Sequence, residues 1–178
     1  MKQFRQIIRE IIPVIIGILI ALVINNWNED RKDKLYLNLI LSSIEEELAE
    51  SKADIKKSIP KQQLLLDSLG RYLNDETVTL VDIVKKAGGI HGPVIKNYSW
   101  KALANTRIEL IEYEKLSAFI EMDETKKNLE LKREKVLDFL FDHLKSTSQE
   151  KKEVFLMLLT DIMWTEKTLE SEISELIE

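Results

Sequence analysis

Fourteen apolar residues run without a break from Ile11 to Ile24, and Asn25-Asn26-Trp27-Asn28-Glu29 follow at once. Such a run must be covered by a protein core or by lipid. A helix rises about 1.5 Å per residue, so a hydrocarbon layer of about 30 Å takes roughly 20 residues. Extended back to Ile7 and forward to Trp27, the segment reaches that length. Trp27 then serves as an interfacial anchor, with Phe4 at the opposite headgroup layer. Arg9 falls near the first interface and snorkels outward. A buried core helix normally keeps a polar face, and this run has none. A cleaved signal peptide needs small residues after the apolar run, but Ala21 is followed by Leu22 and Val23. The expectation is an uncleaved single-pass anchor in the lipid bilayer.

The basic residues flanking the span balance: Lys2, Arg5 and Arg9 precede it, and Arg31, Lys32 and Lys34 follow it. The short head and long tail then decide the topology, with the N-terminus cytoplasmic and the body outside the cytoplasm. The chain divides into an N-terminal tail and anchor, 1–28, and a helical domain, 29–178.

Small and polar residues line one face of the span. Glu10, Val14, Gly17, Ala21 and Asn25 recur every three or four positions. A Gly17-x-x-x-Ala21 pair lets two helix backbones approach closely. Glu10, Gly17, Ala21 and Asn25 are therefore the candidate helix-packing residues of a homo-oligomer. Pro13 sits near enough to the helix start to be tolerated, or kinks it.

The stretch Glu10–Lys32 carries Gly17-Ile18-Leu19-Ile20-Ala21-Leu22 and then Ile24-Asn25-Asn26-Trp27-Asn28-Glu29. It resembles the signature of a family of small single-pass membrane proteins of unknown function, typical of Bacteroidota. A second, shorter likeness lies at Tyr98–Leu103 and Arg107–Ile111, with Asn105-Thr106 where the family has a glycine. The resemblance implies the anchor and a cell-envelope location; together with the topology above, the expected placement is the bacterial inner membrane, crossed once, with the C-terminal domain in the periplasm. The resemblance carries over no catalytic residue.

Residues 1–28 hold three basic and one acidic residue of the 26 and 31 in the whole chain, which leaves the body 23 against 30. A body of that balance is not a nucleic-acid binder, which needs a net basic face. There is no cysteine, so no disulfide and no thiolate metal site forms.

The body reads as helices. Leu37, Leu41, Ile44, Leu48, Ile55 and Ile59 keep helical spacing. The anchor helix can continue into this one and end near Pro60, because the residue before a proline leaves the helical region. Leu64–Leu73 makes a short second helix. Thr79–Ala87 makes a third, opened by a capping box of Thr79 and Asp82. Gly88-Gly89-Ile90-His91-Gly92-Pro93 interrupts the pattern, and helix resumes near Ser99-Trp100. Leu110–Phe119 follows, and Leu129, Val136, Leu137, Leu140, Phe141 and Leu144 mark a long helix. A box of Thr147 and Glu150 opens the last, with Phe155, Leu158, Ile162, Leu169, Ile173 and Leu176 on its apolar stripe and Trp164 making a side contact. The fold class is all-α: one N-terminal transmembrane helix followed by an antiparallel helical bundle.

Chemistry is sparse. Neither His91 nor His143 has a histidine three or four residues away, and Leu140 stands where a di-metal motif places its glutamate, so no metal or other cofactor is expected. Glu46, Glu50 and Asp54 share a helix face that reads as solvated rather than as a cation site. The glycine-rich loop lacks the Lys-Ser/Thr ending of a phosphate loop. No nucleophile, base and orienter come together, so the chain is not expected to be an enzyme. Two functions remain. One is a non-enzymatic interaction or scaffold component of the cell envelope, partnered by its own copies or by an envelope protein. The alternative is a ligand-sensing or enzymatic domain with a site near the Gly88–Pro93 loop, where His91 and Trp100 are the candidate ligand contacts.

Overall fold

The computed structural model describes the backbone from residue 2 to residue 177 and the side chains from residue 12 to residue 177. Glu10, one of the four candidate packing residues, lies outside the described side chains, as do Phe4 and Arg9. The described residues are all-α, with no strand among them. The order is α1 (Lys2–Arg71), α2 (Leu80–Lys86), α3 (Tyr98–Thr106), a 3-10 turn (Ile108–Leu110), α4 (Tyr113–His143) and α5 (Gln149–Ile177). The chain forms two compact units, Met1–Leu41 and Ser42–Glu178.

Within the first unit, the helix from Ile12 is long and apolar enough to cross a membrane. From Ile12 to Trp27 its large apolar side chains are exposed all round.

Within the second unit, three long helices carry the core. The buried positions of α1 are Ile44, Leu48, Ser51, Ile55, Ser58, Gln62, Leu65 and Leu69, spaced four and three in strict alternation. The buried stripe of α5 is Lys152, Phe155, Leu159, Ile162, Glu166, Leu169 and Ile173, with the same alternation. On α4 it is Phe119, Met122, Lys126, Leu129, Val136 and Leu140, with Arg133 at the vacant step between Leu129 and Val136. A seven-residue repeat of this kind keeps one seam of each helix facing its neighbours.

The pairings fix the directions. Thr125 bonds Glu172, Arg133 bonds Glu166 and Phe139 stacks on Phe155, so α4 and α5 are antiparallel. Lys56 pairs with Glu170 while Lys152 reaches Tyr72, so α1 and α5 are also antiparallel. Hence α4 runs parallel to the bundle part of α1, and the crossover 72–112 must return along the bundle. It does so through α2, an extended segment and α3.

Two expectations are corrected here. Pro60 does not end α1, and Leu64–Leu69 continue the same helix to Arg71. Proline lacks an N–H and leaves one carbonyl of the preceding turn unpaired. Pro60 is exposed, so water can reach that carbonyl, while Ser58, Gln62, Leu65 and Leu69 keep the opposite face buried. Tertiary burial outweighs the local preference. Trp164 makes no side contact in the bundle: it is 68% exposed and stands seven residues from Met157, also 68% exposed, on the outer face of α5.

The caps follow the sequence more closely. Thr79 accepts from the Asp82 amide at 3.2 Å, and Asp82 accepts from the Thr79 amide at 3.4 Å, which closes the capping box of α2. Loss of such a cap typically costs about 1 kcal/mol. Thr79→Ala should therefore lower stability by about that amount in urea titration, with no change in slope. The last helix opens at Gln149, and the Lys152 amide bonds the Ser148 carbonyl, so Ser148 rather than Thr147 holds the cap position.

Candidate functional site

The extended segment after α2 is laid against α1 by the acidic face that the sequence presents as solvated. The Val94 amide donates to Asp54 at 2.8 Å, and the Lys96 amide donates to Ser51 Oγ at 2.9 Å. Lys96 pairs with Glu50. Glu47 accepts from the Ser99 amide and hydroxyl, which places a carboxylate on the first turn of α3. The acidic run is thus a strap for residues 94–99.

Upstream of the strap, Gly88 and Gly89 adopt φ of 85° and 103°, a region that side chains with a Cβ rarely enter. They turn the chain so that Ile90, His91 and Gly92 pass over the seam of the three long helices. Gln62 Nε2 donates to the His91 carbonyl at 3.0 Å. His91 Nε2 lies 3.1 Å from the Gly88 carbonyl. A carbonyl only accepts, so Nε2 is the donor in this contact. Gly92 passes so close to Arg133 that a Cβ there would meet its guanidinium at 3.2 Å.

Beneath this loop is a cavity of about 230 Å³. Its apolar wall is Val136 and Leu137 from α4 and Leu159 and Ile162 from α5. Its polar edge is Gln62 and Arg133, and Ile90, His91 and Gly92 form the loop side.

The polar edge continues inward. Arg133 Nη2 donates to Glu166 Oε1 at 2.8 Å, and the Glu166 side chain is fully buried. Burial pushes the Glu166 carboxyl above the usual glutamate value, against the pull of Arg133 and Gln62 toward the anion. Two buried acceptors have no hydrogen-bond partner here: Gln62 Oε1 and Glu166 Oε2.

The candidate residues fall in different places. His91 lines the cavity. Trp100 does not: it is buried and stacked on Phe119, with ring centroids 4.8 Å apart, and so belongs to the core. Trp27 is 66% exposed. Gly17 has open space where a Cβ would stand. Ala21 is exposed in the same helix, and Asn25 donates to Glu29 one turn on.

Gln62, Arg133 and Glu166 were not singled out by sequence reasoning. Their signal is positional. Each is a polar residue at a step that the alternation of three and four assigns to the core.

Comparison with known proteins finds no matching family model, no matching curated protein and no matching solved structure.

Proposed function

We propose that this chain is a membrane-anchored, non-enzymatic interaction protein of the bacterial cell envelope. In this reading it crosses the inner membrane once, and its helical domain lies in the periplasm. The observation that carries it is the exposure of the apolar segment. From Ile12 to Ile24, every large apolar side chain keeps 48% to 67% of its surface open. Exposed apolar area costs about 25 cal/mol per Å² in water, and a hydrocarbon layer removes that cost. The resemblance of Glu10–Lys32 to small membrane proteins supports the same placement.

The partner in this reading is a second copy of the chain, meeting it along Gly17 and Ala21, or an envelope protein. Native mass spectrometry of full-length protein released gently from its own membrane tests it. A defined homo-oligomer or a stoichiometric second protein is the expected result, and a bare monomer would sink it. Gly17→Leu adds a discriminating arm. A Cβ at 17 has open space around it, so the substitution is not expected to disturb the helix that carries it. It should shift the oligomer toward monomer by about tenfold or more, because small-residue faces depend on close backbone approach.

A second reading, a ligand-sensing domain, has one observation in its favour: the cavity under the glycine-rich loop with His91 in its wall.

A further inference from the structure

We propose that the α4 side of the cavity under the Gly88–Pro93 loop docks a basic, amphipathic segment of a partner protein, one apolar side chain of which sits in the cavity. This rests on the interaction reading and adds the place and the chemistry of the partner.

The apolar part comes first. A cavity of about 150 Å³ accommodates a benzene ring. At about 230 Å³ this one has room for one aromatic or branched side chain. Leu137 lines its wall and keeps 41% of its surface open to solvent. Phe141 stands one turn further along α4 and is 66% exposed. These two side chains carry the apolar wall out of the cavity and onto the surface. A small molecule in the cavity would leave Phe141 in water, whereas a chain segment lying along α4 covers both. An apolar anchor in a pocket, ringed by contacts that exclude water, is the usual centre of a protein interface.

Charge gives the sign of the partner. Glu130, Glu134, Leu137 and Phe141 follow one another at three or four residues, and all are exposed, so they share one face of α4. Glu134 has Glu130 one turn before it and Asp138 one turn after it, with no basic residue three or four positions away. Like charges at that spacing destabilise a helix. Lys135 follows Glu134 directly but points about 100° away around the helix. Glu130 pairs with Lys126 at 2.8 Å, while Glu134 and Asp138 enter no ion pair among the described residues. A lysine or arginine brought by the partner relieves this repulsion, and an acidic segment would add to it. Residues 29–178, with 23 basic and 30 acidic side chains, also draw a basic segment in from a distance.

The test uses full-length protein in phosphatidylcholine nanodiscs, labelled at isoleucine δ1-methyl groups so that Ile90 and Ile162 report from the cavity wall. The probes are the acetylated, amidated peptides Lys-Lys-Phe-Lys-Lys, Lys-Lys-Ala-Lys-Lys and Glu-Glu-Phe-Glu-Glu, with toluene as the small-molecule control. Empty nanodiscs account for binding to lipid. The first peptide should shift both methyl signals in a saturable way, and more weakly as salt is raised. The alanine and glutamate peptides should each bind about tenfold more weakly or worse. Glu134→Lys should cost the first peptide about tenfold in affinity while raising the midpoint of urea unfolding, because it turns two repulsive pairs into attractive ones. Phe141→Ser, at a position that holds no core, should weaken the same peptide and keep the test decisive if the charge variant fails to fold.

Binding of the glutamate peptide as tight as the lysine one would overturn the charge of the partner. Binding of the alanine peptide as tight as the phenylalanine one would overturn the anchored cavity. Shifts with toluene and with no peptide would overturn the docking site in favour of the ligand-sensing reading. No shift with any probe would also overturn it, while a stoichiometric partner in the native mass spectrum would leave the interaction reading standing.

Discussion

Replacing Arg133 with methionine should lower the stability of the folded chain by about 3 kcal/mol at neutral pH. The Glu166 carboxyl has no exposed surface, and Arg133 is its ion-pair partner among the described residues. Removing one member of a buried pair leaves an uncompensated charge, at a typical cost of 3–5 kcal/mol. Arg133 retains 28% of its side-chain surface, so water already screens part of the interaction, which argues for the lower end. The loss should depend on pH in a defined direction. Burial raises the folded-state pKa of Glu166 above the unfolded value. Between the two values the folded state holds more protons, so stability is greatest below the unfolded pKa and declines as pH rises through the folded pKa. Without Arg133 the folded value rises further. The cost of the variant should therefore be largest at neutral and alkaline pH and shrink as pH falls toward 5. Urea titration of full-length protein in a mild detergent, followed by near-ultraviolet circular dichroism at several pH values, measures this. Arg133→Met combined with Glu166→Met should recover most of the loss, because an apolar pair of similar volume needs no compensation. A single variant as stable as the parent would refute the buried-pair account.

Much of this architecture is visible in the order of residues. Thr79 and Asp82 announce the start of α2 because a capping box is a local device: both partners lie within one turn. Gly88 and Gly89 announce the break because positive φ is a property of the residue itself. Pro60 misleads for the same reason. Its rule is local, while the burial that carries α1 past it comes from distant residues. The acidic residues of α1 mislead in the opposite way. Glu50 and Asp54 read, with Glu46, as a solvated face; Glu46 is exposed, but the crossover segment, some 40 to 52 residues on, bonds Glu50, Asp54 and the neighbouring Glu47. The cavity edge does not show in a periodicity of apolar residues alone. Gln62, Arg133, Glu166 and Lys152 all sit at core steps and all appear as gaps in an apolar count. A polar residue at a core step must find a buried partner, so these gaps are where interactions beyond packing concentrate.

Lys152 gives the second large effect, and it tests that argument at a site away from the cavity. Its side chain is fully buried near the start of α5. Its ammonium donates to the Tyr72 carbonyl at 3.0 Å and to the Asp75 carbonyl at 2.6 Å. These carbonyls close the C-terminal end of α1, where helices leave acceptors unpaired and where a cation is favoured. The turn is also held by Asp75, which accepts from the Thr77 amide and hydroxyl, and by Lys86, which lies 4.2 Å from the Tyr72 ring centre. Two opposing terms decide the outcome of Lys152→Met. Methionine recovers the cost of burying a charge, but it leaves two acceptors without their donor, each charged hydrogen bond being worth about 1.5–3 kcal/mol. The carbonyls are neutral and can regain water if the turn opens, so the loss should settle at about 2 kcal/mol and be local. Hydrogen exchange should accelerate at the amides of residues 72–78 and at Leu80 and Val81, which bond Ser146 and Leu144 across the same end of the bundle. The amides around Ile55 and Leu129, deep in the seam, should change little. Lys152→Arg should not rescue the turn, because a planar guanidinium needs more room than this closed slot provides. If exchange at residues 72–78 stays at the parent rate in Lys152→Met, the ammonium does not hold this end of the bundle, and the turn is kept by its other contacts.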